Sequence, residues 1–170
     1  MDFLKLAHER YSCRKFSGKV VEQEQIDKII EAGLAAPTAV NFQPFKIWVV
    51  RTQENLEKIS EATPFRFGAS TVFIIGADTK NAYVRRFDAK NFGEIDACIV
   101  TTHMMLAVHD LGLGTTWVGA FDESKLKSLL PETKDYDIVA LLPVGYPADD
   151  VSPSEKHYSR KSASEIVKYI

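Results

Sequence analysis

The chain has 170 residues, a length that suits one domain with a single substantial core. Its 21 basic and 23 acidic side chains give a formal net charge of −2, which argues against a general nucleic-acid binder because such proteins carry a basic excess. Two cysteines, Cys13 and Cys98, are too few for a disulfide framework or a zinc site and indicate reduced thiols.

The N-terminus is charged as well as apolar, so a signal peptide is not predicted, and no apolar run approaches the ~18 residues of a membrane span. We therefore expect one cytoplasmic domain over residues 1–170, with no membrane partner.

Hydrophobic spacing predicts helices and strands in alternation through the first half of the chain. The clearest helix has Ile26, Ile29 and Ile30 at helical spacing and ends at Pro37. The predicted elements are a helix over 2–10, a helix within 22–37, a strand over 45–51, a helix over 52–63 and a strand over 71–78.

Residues 79–90 show no clear period, and the second half then continues the alternation. The longest helix is predicted over 91–111, followed by a strand over 115–121, a short helix over 122–131 with Asp122 as its N-cap, and a strand over 137–146. Pro143 removes one ladder hydrogen bond and predicts a bulge or an edge strand. The pattern alone predicts an α/β fold with a parallel sheet.

The stretch "RYSCRKF" places three cations within six residues. An extended backbone would put Arg10, Ser12 and Arg14 on one side, where two guanidiniums and a hydroxyl can hold a phosphate. A solvated basic loop is the alternative. The late "HYSRK" could add Arg160 and Lys161 to such a site, or these could be simple tail charges.

Two further stretches carry polar or small residues suited to a flat ring. In "PTAVNFQPF", Asn41 and Gln43 offer paired amides that match a heterocycle edge such as a flavin's pyrimidine ring, or they belong to an ordinary turn. In "TTWVGAF", Gly119 would let a ring approach the backbone, while Trp117 is equally suited to the core.

Several other kinds of site are excluded. No G-x-S-x-G elbow or P-loop is present. His103 and His109 are six residues apart, about 240° around a helix, and cannot share a metal ion. The glycines near Gly112 follow a helix and precede a strand, the reverse of a dinucleotide fingerprint.

Taken in order, "RYSCRKF", "AAPTAVNFQPF", "EIDACIVTTHMMLAVHDLGLGTTWVGAF" and "LLPVGYP…HYSRK" resemble the nitroreductase family over nearly the whole chain. The resemblance implies an α+β fold with a mixed, mostly antiparallel sheet, which replaces the parallel sheet expected from alternation. It also implies FMN as cofactor, NADH or NADPH as electron donor, and a homodimer with a flavin at each subunit interface.

The resemblance assigns cofactor-binding roles by position. Arg10, Ser12 and Arg14 match phosphate and ribityl contacts, and Tyr11 contributes its backbone. The loop with Pro37, Thr38, Ala39, Asn41 and, as a further candidate, Gln43 borders the ring from the other subunit. The main chain of Trp117, Val118 and Gly119 faces the ring, and the amide groups of Val118 and Gly119 would polarise its edge. Arg160 closes on the phosphate with help from His157.

The implied activity is ping-pong hydride transfer from NAD(P)H to nitroaromatics, quinones or similar small acceptors, with the cofactor carrying the electrons and no catalytic side chain. Two departures from larger members of the family bear on the choice of acceptor. The stretch "TTWVGAF" lacks their Pro-x-x-Glu-Gly-type segment, and the region between the strand over 71–78 and the long helix, where they insert a helical lid, is short. Tyr83, Arg85, Arg86 and Phe87 could line an acceptor pocket or form a solvated loop. Dehalogenation, flavin fragmentation and flavin storage remain alternatives.

Overall fold

The structure, a computed structural model, describes residues 2–170. Its helices are α1 (Phe3–Glu9), α2 (Gln23–Leu34), α3 (Gln53–Ala62), α4 (Gly93–Asp110), α5 (Glu123–Leu129), α6 (Glu155–Tyr158) and α7 (Ala163–Ile166). Its strands are β1 (Phe45–Val50), β2 (Thr71–Ala77), β3 (Val84–Arg85), β4 (Lys90–Asn91), β5 (Gly114–Thr115) and β6 (Asp137–Gly145). Short 3-10 turns lie at Ala39–Asn41 and Pro131–Thr133.

The central sheet has the order β1-β2-β6-β5, and each pair of neighbouring strands is antiparallel. The α+β fold implied by the resemblance is therefore confirmed, and the parallel sheet expected from alternation is wrong. Helix α3 stands between β1 and β2 but does not make a parallel crossover, because residues 63–70 lead the chain back before β2 begins. The order of helices and strands along the sequence does not show that the chain returns in this way, so it does not predict the direction of β2.

Both faces of the sheet are buried. In β2, Phe73 and Ile75 belong to the cluster that packs on α2 and α4, while Val72 and Ile74 belong to the cluster that packs on α3 and α5. Because successive side chains of a strand point to opposite faces, β2 is apolar throughout rather than alternating. This leaves the edges of the sheet as the places where other segments can attach.

The segment of residues 10–17 attaches at the β5 edge. Ser12 forms a parallel bridge with Thr115, and the Cys13 N–H donates to the Thr115 carbonyl at 2.9 Å. Further along, the Ser17 N–H donates to the Tyr146 carbonyl at 2.9 Å. Cys13 is fully buried, and burial raises the pKa of its thiol. Its neighbours Ser12 and Arg14 are thereby directed away from the core.

The strand predicted over 115–121 is largely wrong, and Pro143 explains why. Val118 and Leu141 exchange both main-chain hydrogen bonds at 3.0 Å, so the next such pair in this register is Thr116 with Pro143. Proline has no N–H, so one of the two hydrogen bonds of that pair cannot form. Pro143 therefore lies neither at a bulge nor on an edge strand: β6 is interior, and its neighbour is interrupted instead.

The other predicted elements are confirmed with small shifts of their ends, and Asp122 caps α5 by accepting from the Lys125 N–H at 2.9 Å. Residues 79–90, which showed no period, contribute most of a small hairpin formed by β3 and β4. Within residues 2–170, no helix combines the length and hydrophobicity that crossing a membrane requires.

Gly114→Ala tests the attachment of the N-terminal segment. An added Cβ would lie 2.7 Å from both Cβ and Sγ of Cys13, which are buried and cannot withdraw. We expect a loss of about 1–3 kcal/mol in the free energy of unfolding, measured by urea denaturation. Gly119→Ala is the control, because its Cβ would meet nothing closer than 3.8 Å, and should change stability by less than about 0.5 kcal/mol. Equal effects of the two substitutions would contradict the close packing.

Candidate functional site

A cavity of about 470 Å³ lies between the N-terminal segment and the C-terminal tail, and we call it the basic cavity. It brings together six of the predicted site residues from opposite ends of the sequence. Sequence reasoning missed the two others, Ser154 and Lys156, although both lie within a few residues of the predicted His157. The lining residues are Arg10, Tyr11, Ser12, Arg14, Ser154, Lys156, His157 and Arg160.

The charges of the basic cavity are of one sign, since none of its lining side chains is acidic. Burial lowers the pKa of Arg10, and the positive charge of Arg160 lowers it further. Arg14 Nη1 donates to the Ser12 carbonyl at 3.4 Å, and Arg160 Nη1 donates to the Ser159 carbonyl at 2.8 Å. Both guanidiniums thus contact neutral oxygens and keep donors for an anion.

A smaller apolar pocket of about 230 Å³ adjoins the basic cavity, and Arg14 lines both. Its other lining residues come from the chain between Thr116 and Ala120 and from Phe65 and Phe67, whose rings lie 5.9 Å apart. Sequence reasoning missed these two phenylalanines; the available signal was a pair of aromatic residues spaced by two before Gly68. Phe67 has φ of 55°, which is strained for a bulky residue.

The main chain beside this pocket differs from the sequence-based prediction at Val118. The Val118 N–H donates to the Leu141 carbonyl at 3.0 Å and is not available to a ring edge. Gly119 is exposed, and its N–H makes no hydrogen bond to another described residue. Trp117 is half-buried, packs against the core cluster around α4 and also lines the pocket, so it satisfies both readings of the sequence.

The loop of residues 37–43 lines neither the basic cavity nor the apolar pocket of its own chain. Val40, Asn41 and Gln43 have φ of 54°, 56° and 53°, although none of them is glycine. Thr38 organises the turn, because its Oγ1 accepts from the Gln43 N–H at 3.0 Å and its carbonyl accepts from the Asn41 N–H. The structure therefore separates Pro37, Thr38, Ala39, Asn41 and Gln43 from the remaining predicted site residues.

A family model described as "Nitroreductase family" matches residues 7–64 and 63–146. The chain belongs to the nitroreductase family. The crystal structure of a nitroreductase family protein from Clostridium difficile 630 is 33% identical and superposes with a TM-score of 0.92, covering 99% of this chain and 98% of that one. A nitroreductase family protein from Clostridium novyi NT is 28% identical, with a TM-score of 0.80 over 88% and 87% of the two chains.

Among curated relatives of this nitroreductase-family chain is the FMN reductase [NAD(P)H] of Bacillus subtilis (strain 168). It is 30% identical over 87% of this chain and 67% of its own length. The recognition of the family from four co-linear stretches of sequence is thereby confirmed.

Arg160→Ala tests whether the basic cavity binds an anion. The substitution removes the like charge that faces Arg10, so we expect little change in the melting temperature and a dissociation constant for inorganic phosphate raised about tenfold. Isothermal titration at fixed ionic strength measures the constant. Lys161→Ala is the matched control, because it removes the same charge from a neighbouring exposed residue that does not line the cavity. Equal weakening by both variants would indicate general electrostatic attraction only.

His109, at the end of α4, links stability to pH. Its ring lies 6.4 Å from that of Tyr11, and burial lowers its pKa in the folded state, with Arg10 and His157 acting in the same direction and Glu9 and Asp110 opposing. The unfolded chain then binds the proton more tightly, so this stability is complete above about pH 6.5 and is lost as the pH falls from there toward the lower pKa of the folded state.

We therefore expect His109→Gln to flatten the pH dependence of the urea midpoint below about pH 7. His8→Gln, which changes an exposed histidine of α1, should leave it unchanged. A wild-type slope that survives in the His109 variant would contradict this assignment.

Proposed function

We propose that this chain is an FMN-dependent NAD(P)H oxidoreductase that reduces small electron-poor acceptors such as nitroaromatics and quinones. Family membership supports a flavin oxidoreductase, and the names of relatives support FMN and NAD(P)H. The observation that carries the proposal is the junction at Arg14, which lines both a cavity rich in cations and a smaller apolar pocket. A ligand with a phosphate at one end and a ring at the other fits this pair of spaces.

The basic cavity fits the phosphate of FMN. Arg10, Arg14 and Arg160 supply charge-assisted donors, and the Ser12 hydroxyl supplies a neutral one. Without an anion, Arg10 and Arg160 repel each other, which is the direction in which the pKa of Arg10 is shifted. A bound phosphate would relieve that repulsion, and His157 and Lys156 would complete its surroundings.

The apolar pocket fits the flavin ring. Trp117, Gly119 and the Phe65–Phe67 pair give it an apolar surface, and Arg14 is its only charged lining residue. At Gly119 no atom of the chain itself requires the absence of a Cβ, so the space above this residue is open to a ring. The Gly119 N–H would then donate toward the polar edge of the ring and stabilise negative charge there.

The loop of residues 37–43 lines neither the basic cavity nor the apolar pocket of its own chain, which supports a role toward a second copy. We therefore propose a homodimer in which this loop borders the ring bound by its partner. Exposed apolar side chains support association: Ile166 and Tyr169 in the tail are 68% and 94% exposed, and Phe3 in α1 is 64% exposed. Such side chains are better accommodated in an interface than in water.

FMN, when bound, supplies the redox chemistry by accepting hydride from NAD(P)H and delivering it to the acceptor. The chain would contribute position, an apolar surface from Phe65, Phe67 and Trp117, and a donor at Gly119. Donor and acceptor would bind in turn against the exposed face of the bound ring, which is a ping-pong order. The described residues around the ring site include Arg14 and no carboxylate, so these surroundings favour flat, neutral acceptors over charged ones.

Anaerobic stopped-flow with the FMN-loaded protein tests the proposal. We expect NADH or NADPH to bleach the visible flavin absorbance, and a quinone or nitroaromatic to restore it. Arg14→Ala should weaken FMN retention at least about tenfold. Lys15→Ala is its control, since Lys15 pairs with Asp150 and does not line the cavity.

Each other result has a distinct meaning. A flavin that neither nicotinamide reduces would contradict the reductase assignment and favour flavin storage or a different flavin reaction. A colourless protein that cannot be reconstituted with FMN would refute the flavin site itself.

A further inference from the structure

Asp96 is a buried carboxylate that the proposed cofactor site does not use. It lies in the first turn of α4 and is 1% exposed. Its Oδ1 accepts a hydrogen bond from the Ala39 N–H at 2.9 Å. Its Oδ2 is also buried and has no hydrogen-bond partner among the described residues. A carboxylate in this state needs an explanation, because a buried charged oxygen without a partner is costly.

The surroundings give Asp96 two sources of stabilisation. Its position in the first turn of an 18-residue helix favours negative charge, because the unpaired N–H groups there carry partial positive charge. The bond from Ala39 is charge-assisted and therefore stronger than a bond between neutral groups. Since Ala39 follows Thr38 in the loop of residues 37–43, the carboxylate joins α4 to that loop across 57 positions of sequence.

The loop needs such a restraint. Three of its residues, Val40, Asn41 and Gln43, adopt left-handed backbone conformations that cost free energy without glycine, and the β-branched Val40 is the most unfavourable. Most other hydrogen bonds of residues 38–43 are internal, from Asn41 and Gln43 to Thr38 and from Phe42 to Ala39. At the end of the loop, the Gln43 carbonyl accepts from the Phe45 N–H of β1 at 2.9 Å. The bond to Asp96 is the one that anchors this strained turn to the buried helix.

We propose that Asp96 is a positioning residue that holds the loop of residues 37–43 in the conformation it presents to the flavin of the partner subunit. The inference rests on the proposed function for the role of the loop. Asp96 does not touch the cofactor. It acts by accepting a hydrogen bond from the Ala39 N–H, which fixes the first residue of the 3-10 turn that contains Asn41.

Amide hydrogen exchange of the apoprotein tests the restraint directly. In Asp96→Ala, exchange of the segment around residues 38–43 should accelerate about tenfold or more, while exchange of β2 is used to correct for global stability. Asp96→Asn retains an oxygen that can accept from Ala39, so it should accelerate exchange less. Thr101→Val is the matched control: it removes a fully buried hydroxyl of the same helix that donates to the Ala97 carbonyl one turn earlier.

A second route removes the donor instead of the acceptor. Ala39→Pro eliminates the N–H at the first position of the 3-10 turn, and Thr38 already has the extended conformation that a following proline requires. We expect this variant to reproduce the loop exchange of Asp96→Ala. It also keeps the inference testable if Asp96→Ala does not fold.

Binding of FMN provides the functional readout. Asp96→Ala and Ala39→Pro should raise the dissociation constant about tenfold, Asp96→Asn by a smaller factor, and Thr101→Val not at all. Loop exchange and FMN affinity in Asp96→Ala that match those of Thr101→Val would overturn the inference. If the wild-type protein binds no FMN, the proposed function fails, whereas the exchange comparison still decides whether Asp96 holds the loop.

Discussion

The pairing of Cys13 with Thr115 at the β5 edge is the contact on which the candidate site depends. The sheet is covered on both faces, so the N-terminal segment can join it only at an edge. Burial of the Cys13 side chain against Gly114 then fixes the direction of its neighbours. Ser12 and Arg14 point outward because Cys13 points inward, and the tail that begins after Tyr146 supplies the opposite wall of the basic cavity.

The same arrangement explains why the two halves of the site lie side by side. The N-terminal segment runs along β5, and the chain that follows β5 forms the floor of the apolar pocket. Because of this path of the chain, Arg14 lies at the boundary between the basic cavity and the apolar pocket. A phosphate and a ring separated by a short linker would match that boundary, and this is the physical basis of the proposed cofactor.

Much of the fold was accessible from sequence, because long helices and buried strands have distinct periods. The 91–111 helix and the strand over 71–78 were predicted closely, whereas strand direction was not, since it depends on where residues 63–70 lead the chain. In the candidate site, alternation placed Arg10, Ser12 and Arg14 together, as observed. Phe65, Phe67 and Asp96 were missed because their proximity to other segments arises only through tertiary contacts.

Position 143 has a consequence that extends beyond the missing hydrogen bond. Since Pro143 cannot donate to Thr116, the neighbouring segment is released from the ladder for two residues and rejoins it at Val118. A proline in an interior strand thereby acts on the adjacent segment and keeps the wall of the apolar pocket from becoming regular sheet. Any residue with an N–H at position 143 would favour a longer β-ladder between β6 and the segment after β5. A continuous ladder there and an open pocket beside it are therefore alternatives that depend on this one residue.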